Sequence, residues 1–215
     1  MQMYNVYKTY GKEGDALVDI NLRIDRGDFV FVTGPSGAGK TTLLKLLFCE
    51  ERPTRGQLLV DGRNLLKLKR SHIPYLRRNI GIVFQDFKLF QERSVYDNVA
   101  FALEVIGTPA KEIRRKVIKA IDLVGLLNKL SKRPNILSGG EQQRIAIARA
   151  LVKEPKILLA DEPTGNLDPD LTKEVIEIFK QVYAKGTTIV VATHNISLLN
   201  GLQRRVIALN KGRIN

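Results

Sequence analysis

Cysteine is almost absent from this chain. Cys49 stands alone among 215 residues, so no intrachain disulfide and no cysteine-built zinc cluster is available, which suits a reducing compartment. Long apolar runs are missing too. The longest, such as residues 29–32 and 157–160, fall far short of the ~20 residues that a membrane-spanning helix requires. Residues 1–10 are polar and aromatic and lack the apolar core of a secretory signal. No Gly/Ser-rich linker, low-complexity segment or internal repeat interrupts the chain, so a single domain of cytosolic character is the expectation. Any membrane attachment then comes through a partner or through surface charge.

Acidic residues are outnumbered, with 22 Asp and Glu against 35 Lys and Arg and a formal charge of +13. Such a surplus favours anionic partners, namely nucleotides, nucleic acid or an anionic membrane leaflet. A merely solvated basic surface explains it equally well. The hydrophobic share of 44% and charged share of 27% exclude a disordered chain.

Apolar runs of strand length occur at 27–33, 57–60, 80–84, 156–160, 187–193 and 205–209. Their continuous Val/Ile/Phe character predicts buried, largely parallel strands. Helical patterns at 40–48, 95–106, 111–124, 139–152 and 171–184 alternate with them, which predicts an α/β layered fold. Residues 87–153 contain helices and no convincing strand, and are expected to form a helical lobe inserted in that core. Segments 4–7 and 17–24 alternate like antiparallel β-structure and predict a side sheet. Four predicted strands end in useful polar groups: a Gly-rich loop after Thr33, Gln85 after Phe84, Asp161–Glu162 after Ala160, and His194 after Thr193. In open α/β sheets ligands bind beyond the carboxyl ends of the strands, so all four are expected at one rim.

The loop Gly34-Pro35-Ser36-Gly37-Ala38-Gly39-Lys40-Thr41 matches the P-loop pattern G-x-x-x-x-G-K-[ST]. Glycines let backbone N–H groups converge on an anion, and the helix that follows adds its positive N-terminal dipole. In this pattern Lys40 reaches the β- and γ-phosphates and the Thr41 hydroxyl ligates Mg²⁺. A Gly-rich turn without a ligand is the bland alternative, and the strand before and helix after argue against it. Asp161 and Glu162 after an apolar run form a Walker-B pattern. One carboxylate holds the water shell of Mg²⁺ and the next orients or deprotonates the attacking water. By themselves Asp161–Glu162, His194 and Gln85 are ordinary turn or loop residues; their shared rim gives them meaning.

Leu137-Ser138-Gly139-Gly140-Glu141-Gln142 resembles the signature motif of ABC ATPases. It is also a capping box, with Ser138 as N-cap and Glu141 at the third helical position. Both can hold, since a capped helix N-terminus with two glycines is itself an anion site. Most of the family carries Gln where Glu141 stands. The resemblance extends over the whole chain in the family's motif order and implies a RecA-like P-loop NTPase core (residues 1–86 and 154–215) with an antiparallel side sheet and an inserted lobe (87–153). It further implies that Tyr10 stacks on adenine, that Thr42 joins the phosphate loop, and that Gln85 senses phosphate and contacts Mg²⁺. Asn166-Leu167-Asp168 would be the D-loop, with Asp168 at the nucleotide, and His194 the switch residue. Two copies would close head to tail on two ATP molecules, Ser138, Gly139 and Gly140 of one facing the γ-phosphate held by Lys40 of the other.

Three classes use this cassette: membrane motors, nucleic-acid repair enzymes and translation factors. Lys40 and Leu137 are joined by an ordinary lobe rather than a long coiled coil, and a second P-loop is absent, so nucleic acid is not expected. Within the membrane motors, residues 74–86 and 94–100 resemble a cell-division subgroup, whereas residues 159–168 are shared with lipoprotein-releasing and macrolide-exporting ATPases. The resemblance implies an integral membrane partner, a place at the cytoplasmic face of the cell membrane, and control of peptidoglycan hydrolysis. Phe87, Leu89 and Phe90 are candidates for a groove that takes the partner; burial in the chain's own core is as consistent with them.

Overall fold

The computed structural model describes residues 1–11, 14–165, 167–195 and 204–215. Strand β1 (Gln2–Tyr10) pairs antiparallel with β2 (Gly14–Arg23) on one side and β4 (Arg55–Val60) on the other, and the short β5 (Arg63–Asn64) completes this four-stranded side sheet. The main sheet has six strands. Its order is β10 (Arg213–Ile214), β9 (Arg205–Asn210), β3 (Phe29–Thr33), β8 (Thr188–Thr193), β7 (Ile157–Asp161) and β6 (Ile80–Val83). All neighbours are parallel except the closing β9–β10 hairpin. β3, β7 and β8 are buried along their whole length, as expected of strands covered on both faces.

Segment 57–60 departs from its predicted place, since β4 is antiparallel and belongs to the side sheet. Leu58 and Val60 are buried while Gln57 is exposed and Leu59 lies between. That two-residue period marks a half-buried strand, and four residues are too few to display it in sequence.

Two apolar cores flank the main sheet. One holds Phe31, Leu158 and Val191 with the faces of helices α3 (Val95–Glu104), α4 (Ala110–Leu123), α5 (Gly139–Leu151) and α6 (Pro169–Ala184). The other packs α1 (Lys40–Leu47) and the side sheet against Val30, Val32, Leu159 and Val190. Among the described residues no strand lies between Val83 and Ile157, so this stretch is helical as predicted. Its core is continuous with the sheet. α5 lies so close to β6 that a Cβ on Gly81 would fall 2.6 Å from the Ala150 carbonyl oxygen. Helices α3 and α5 each start on a complete capping box, Ser94 with Asp97 and Ser138 with Glu141, which sets both N-termini by local chemistry. A short helix, α2 (Ile73–Arg77), precedes β6 and has no counterpart in the sequence prediction, because five residues carry no readable period. Among the described residues no helix is long and apolar enough to cross a membrane.

Candidate active site

The loop after β3 turns on glycines with left-handed backbone: φ is 148° at Gly34, 76° at Gly37 and 104° at Gly39. At Gly34 a side chain is excluded outright, because its Cβ would lie 2.1 Å from the Leu209 carbonyl oxygen. Gly39 caps α1 without any side-chain hydrogen bond, so the first-turn N–H groups are left to an anion. The loop is braced by segments that sequence reasoning did not associate with it. The Gly212 N–H donates to the Ala38 carbonyl at 3.1 Å, and the Val18 N–H donates to Gly212 at 2.8 Å. The β9–β10 hairpin and β2 thus support the phosphate loop from behind.

Lys40 is buried and folds back onto its own loop, donating to the carbonyls of Gly34 at 2.8 Å and Pro35 at 3.2 Å. Its ammonium is 3.6 Å from Glu162 Oε1. Glu162 follows β7 in a left-handed conformation with φ of 45°. That backbone turn lets the Glu162 N–H donate to Ala192 at 2.9 Å while its carboxylate meets His194. The His194 N–H donates to Oε1 at 3.0 Å, and His194 Nδ1 lies 2.9 Å from the same oxygen. Glu162 therefore ties together Lys40 and the end of β8.

A cleft of about 490 Å³ is lined by Pro35, Ser36, Gly37, Ala38, Gly39, Lys40, Thr41 and Thr42, and by Gln85, Glu162 and His194. Ala16, at the start of β2, completes the wall; nothing in the sequence marked it. A neighbouring cavity of about 580 Å³ shares Thr41 and Gln85 and adds Asp161. Burial, reinforced against the Thr41 hydroxyl by the charge of Glu162, pushes the Asp161 carboxyl above its ordinary range. Asp161 Oδ1 is fully buried with no hydrogen-bond partner. Thr41, Gln85 and Asp161 line this cavity together, and a hydroxyl, an amide oxygen and a carboxylate are hard oxygen donors that fit Mg²⁺.

The remaining predicted residues lie outside this cleft. Tyr10 ends β1 beside it, and burial, with the Glu51 carboxylate, pushes its hydroxyl to about 12 against the opposing contact of Thr42. Ser138 and Gly139 are exposed, whereas Gly140 is buried where a Cβ would come within 2.7 Å of Leu171 Cδ1. Asp168 serves as N-cap of α6, accepting from the N–H groups of Asp170 at 3.0 Å and Leu171 at 2.9 Å. Asn166 lies outside the described residues. Gly140 thus packs the start of α5 on α6, while Ser138 is exposed and is absent from the lining of the cleft.

A family model described as ABC transporter matches residues 17–165. The chain belongs to the ABC transporter ATPases. As a member it is an ATPase with the α/β P-loop fold. A second model, described as AAA domain, putative AbiEii toxin, Type IV TA system, matches residues 134–200. Among curated relatives, the cell division ATP-binding protein FtsE of Bacillus subtilis strain 168 is 49% identical over 214 residues, covering 100% of this chain and 94% of that protein. FtsE of Escherichia coli K12 is 45% identical over 210 residues, covering 98% and 95%. Among solved structures, the ATP-binding cassette MJ0796, a dimer in a post-hydrolysis state with ADP and Pi, superposes with a TM-score of 0.93 at 35% identity, covering 100% of this ABC ATPase and 96% of that chain.

Proposed function

We propose that this ABC ATPase is the motor subunit of a membrane-bound cell-division complex, acting as FtsE does with an FtsX-like integral membrane partner on the cytoplasmic face of the cell membrane. The observation that carries the nucleotide chemistry is the convergence of Lys40, Thr41, Gln85, Glu162 and His194 on one cleft. The full-length likeness to FtsE supports the cellular role.

In this proposal residues 1–86 and 154–215 form the nucleotide core of one ABC domain, and 87–153 its signature lobe. The backbone of 34–39, with Ser36 and Thr42, cradles the phosphates, and Tyr10 covers the adenine. Lys40 leaves the carbonyls of Gly34 and Pro35 for the β- and γ-phosphates. Thr41 and Gln85, with Asp161 through water, would hold Mg²⁺, which when bound neutralises phosphate charge. Glu162 orients the attacking water and accepts its proton. His194, held by Glu162, then donates to the transferred phosphoryl group.

The exposed Ser138 loop, with Gly139, would complete the site of a second copy, alongside that copy's Asp168. Two sites would then form only in the dimer. The test is the concentration dependence of hydrolysis by purified protein with Mg-ATP. A rate rising with the square of protein concentration at low concentration is expected, and Ser138→Arg should remove that activity while leaving ATP affinity unchanged. Hydrolysis strictly proportional to protein concentration down to nanomolar would end the two-copy mechanism.

A groove of about 400 Å³ beside the lobe supports the membrane partner. Its apolar surface includes Phe48, Ile82, Phe84, Phe90, Phe101 and Val105. Of the three candidates in the sequence, Phe87 and Leu89 pack on the chain's own core. Phe90 is 40% exposed and faces the groove, its ring edge-on to Phe101 at 4.9 Å. Phe90→Lys should abolish co-purification with the membrane partner and leave the thermal midpoint within a few degrees. Retention of the partner by that variant would count against the groove.

A further inference from the structure

The same groove carries a charge imbalance that apolar contact does not explain. Arg77, Arg78, Lys88, Arg149 and Lys153 line it, and among the described residues no Asp or Glu does. Three of these cations reach inward and end on neutral groups. Arg77 donates to the carbonyls of Phe48 at 3.2 Å and Cys49 at 3.1 Å, stacked over the Phe48 ring at 4.7 Å. Arg149 donates to the carbonyls of Phe87 at 2.6 Å and Lys88 at 2.5 Å. Lys153, just past α5, donates to the Arg77 carbonyl at 2.6 Å. Among the described residues only Lys88 has a counter-ion, Asp86 at 2.9 Å, and that pair is exposed.

Carbonyl oxygens satisfy these N–H groups without neutralising them, and withdrawing charge from water without a counter-charge is costly. The cost registers most clearly at Lys153, whose ammonium burial pushes down to about 8. Arg149 is lowered by burial as well. A groove with an aromatic and aliphatic floor and a rim of uncompensated cations is complementary to a segment that is apolar on one side and acidic on the other.

We propose that the partner segment seated in this groove carries an aspartate or glutamate that forms an ion pair with Lys153, with Arg77 and Arg149 supplying the surrounding positive field. The proposal rests on the membrane-partner reading given above and specifies the chemistry of that partner's contact. Lys153 is central because it has three rotatable donors and uses one of them on the Arg77 carbonyl. Its hydrogen bond to Arg77 also places its charge beside that guanidinium's own backbone, so one carboxylate would meet both elements, α2 and the end of α5. A partner carboxylate would compensate this half-buried charge, and its loss would leave Lys153 covered by the partner and unpaired at the interface.

The test uses the full chain in native membranes of the organism it comes from. A photoreactive side chain replaces Val105, which is 64% exposed at the groove, and the linked peptide is sequenced. In parallel, a zero-length carbodiimide joins amines to carboxylates already in contact. The expected result is a linked peptide from an integral membrane protein, apolar with at least one Asp or Glu, and a carbodiimide bond from Lys153 Nζ to that acid. Lys153→Arg should keep photocapture and lose the carbodiimide bond, since a guanidinium is not coupled. Lys153→Met should weaken capture at least ~30-fold, as for one partner of a buried pair. A captured membrane segment without an acid, or a carbodiimide product that bypasses Lys153 while the partner is photocaptured, overturns the ion pair alone. Capture of no integral membrane protein overturns the partner reading and the ion pair with it.

Discussion

Glu162→Gln is expected to separate nucleotide binding from turnover. The substitution preserves size and leaves a carbonyl oxygen to accept the His194 N–H, now bonded to the carboxylate at 3.0 Å. It removes the negative charge that stands 3.6 Å from Lys40 and 2.9 Å from His194 Nδ1. With Glu162 as the proposed acceptor of the water proton, the rate should fall about 10²–10⁴-fold, the usual contribution of a positioned general base. ATP affinity should be retained, because the proposed mechanism assigns the phosphates to the loop and Lys40. With Mg-ATP the variant should accumulate as a dimer, visible as a doubled mass by light scattering, since in the proposed two-copy mechanism hydrolysis is the step that reopens the pair. Near-normal phosphate release from the purified variant would remove Glu162 from its role and shift suspicion to Gln85 or His194.

Lys40→Met is expected to fail one step earlier, at binding. Met keeps the aliphatic stem in its buried position and deletes the ammonium. In the free chain that ammonium contacts two loop carbonyls and one carboxylate, and Pro35 and Glu162 among these line an open cleft where water can take its place. The fold should therefore hold, with a thermal midpoint shifted by no more than a few degrees. Charge-assisted hydrogen bonds contribute about 1.5–3 kcal/mol each, so affinity for ATP should drop on the order of 10–100-fold by calorimetric titration. Unchanged affinity would place the phosphates elsewhere. The two variants give opposite patterns, one binding without turnover and one failing to bind, and only a site assembled as described produces both.

Residues near one another in the chain were legible from their types alone. The order Gly34 to Thr41 after an apolar strand is enough to specify a turn of left-handed glycines feeding a helix, because each requirement is local. Ser138 and Glu141 likewise announced a capped helix, and their mutual hydrogen bonds are present. Placing Gln85, Glu162 and His194 at one rim followed from a general property of parallel sheets. The lining of the cleft by all three agrees with that expectation.

What the order of residues alone determined is therefore the menu of local conformations and the chemical groups at the strand ends, since dihedral preferences and capping act over a few residues. Tertiary packing decided the rest. It moved 57–60 into the side sheet, set Gly212 and Leu209 behind the P-loop, and turned Phe87 and Leu89 inward while leaving Phe90 out. It also brought Arg77, Arg149 and Lys153, separated by as much as 76 positions between Arg77 and Lys153, around one groove whose described residues give these three no counter-charge. Those outcomes depend on which apolar faces bury one another and which strand edges pair, and such long-range contacts have no period or spacing by which a single chain could disclose them.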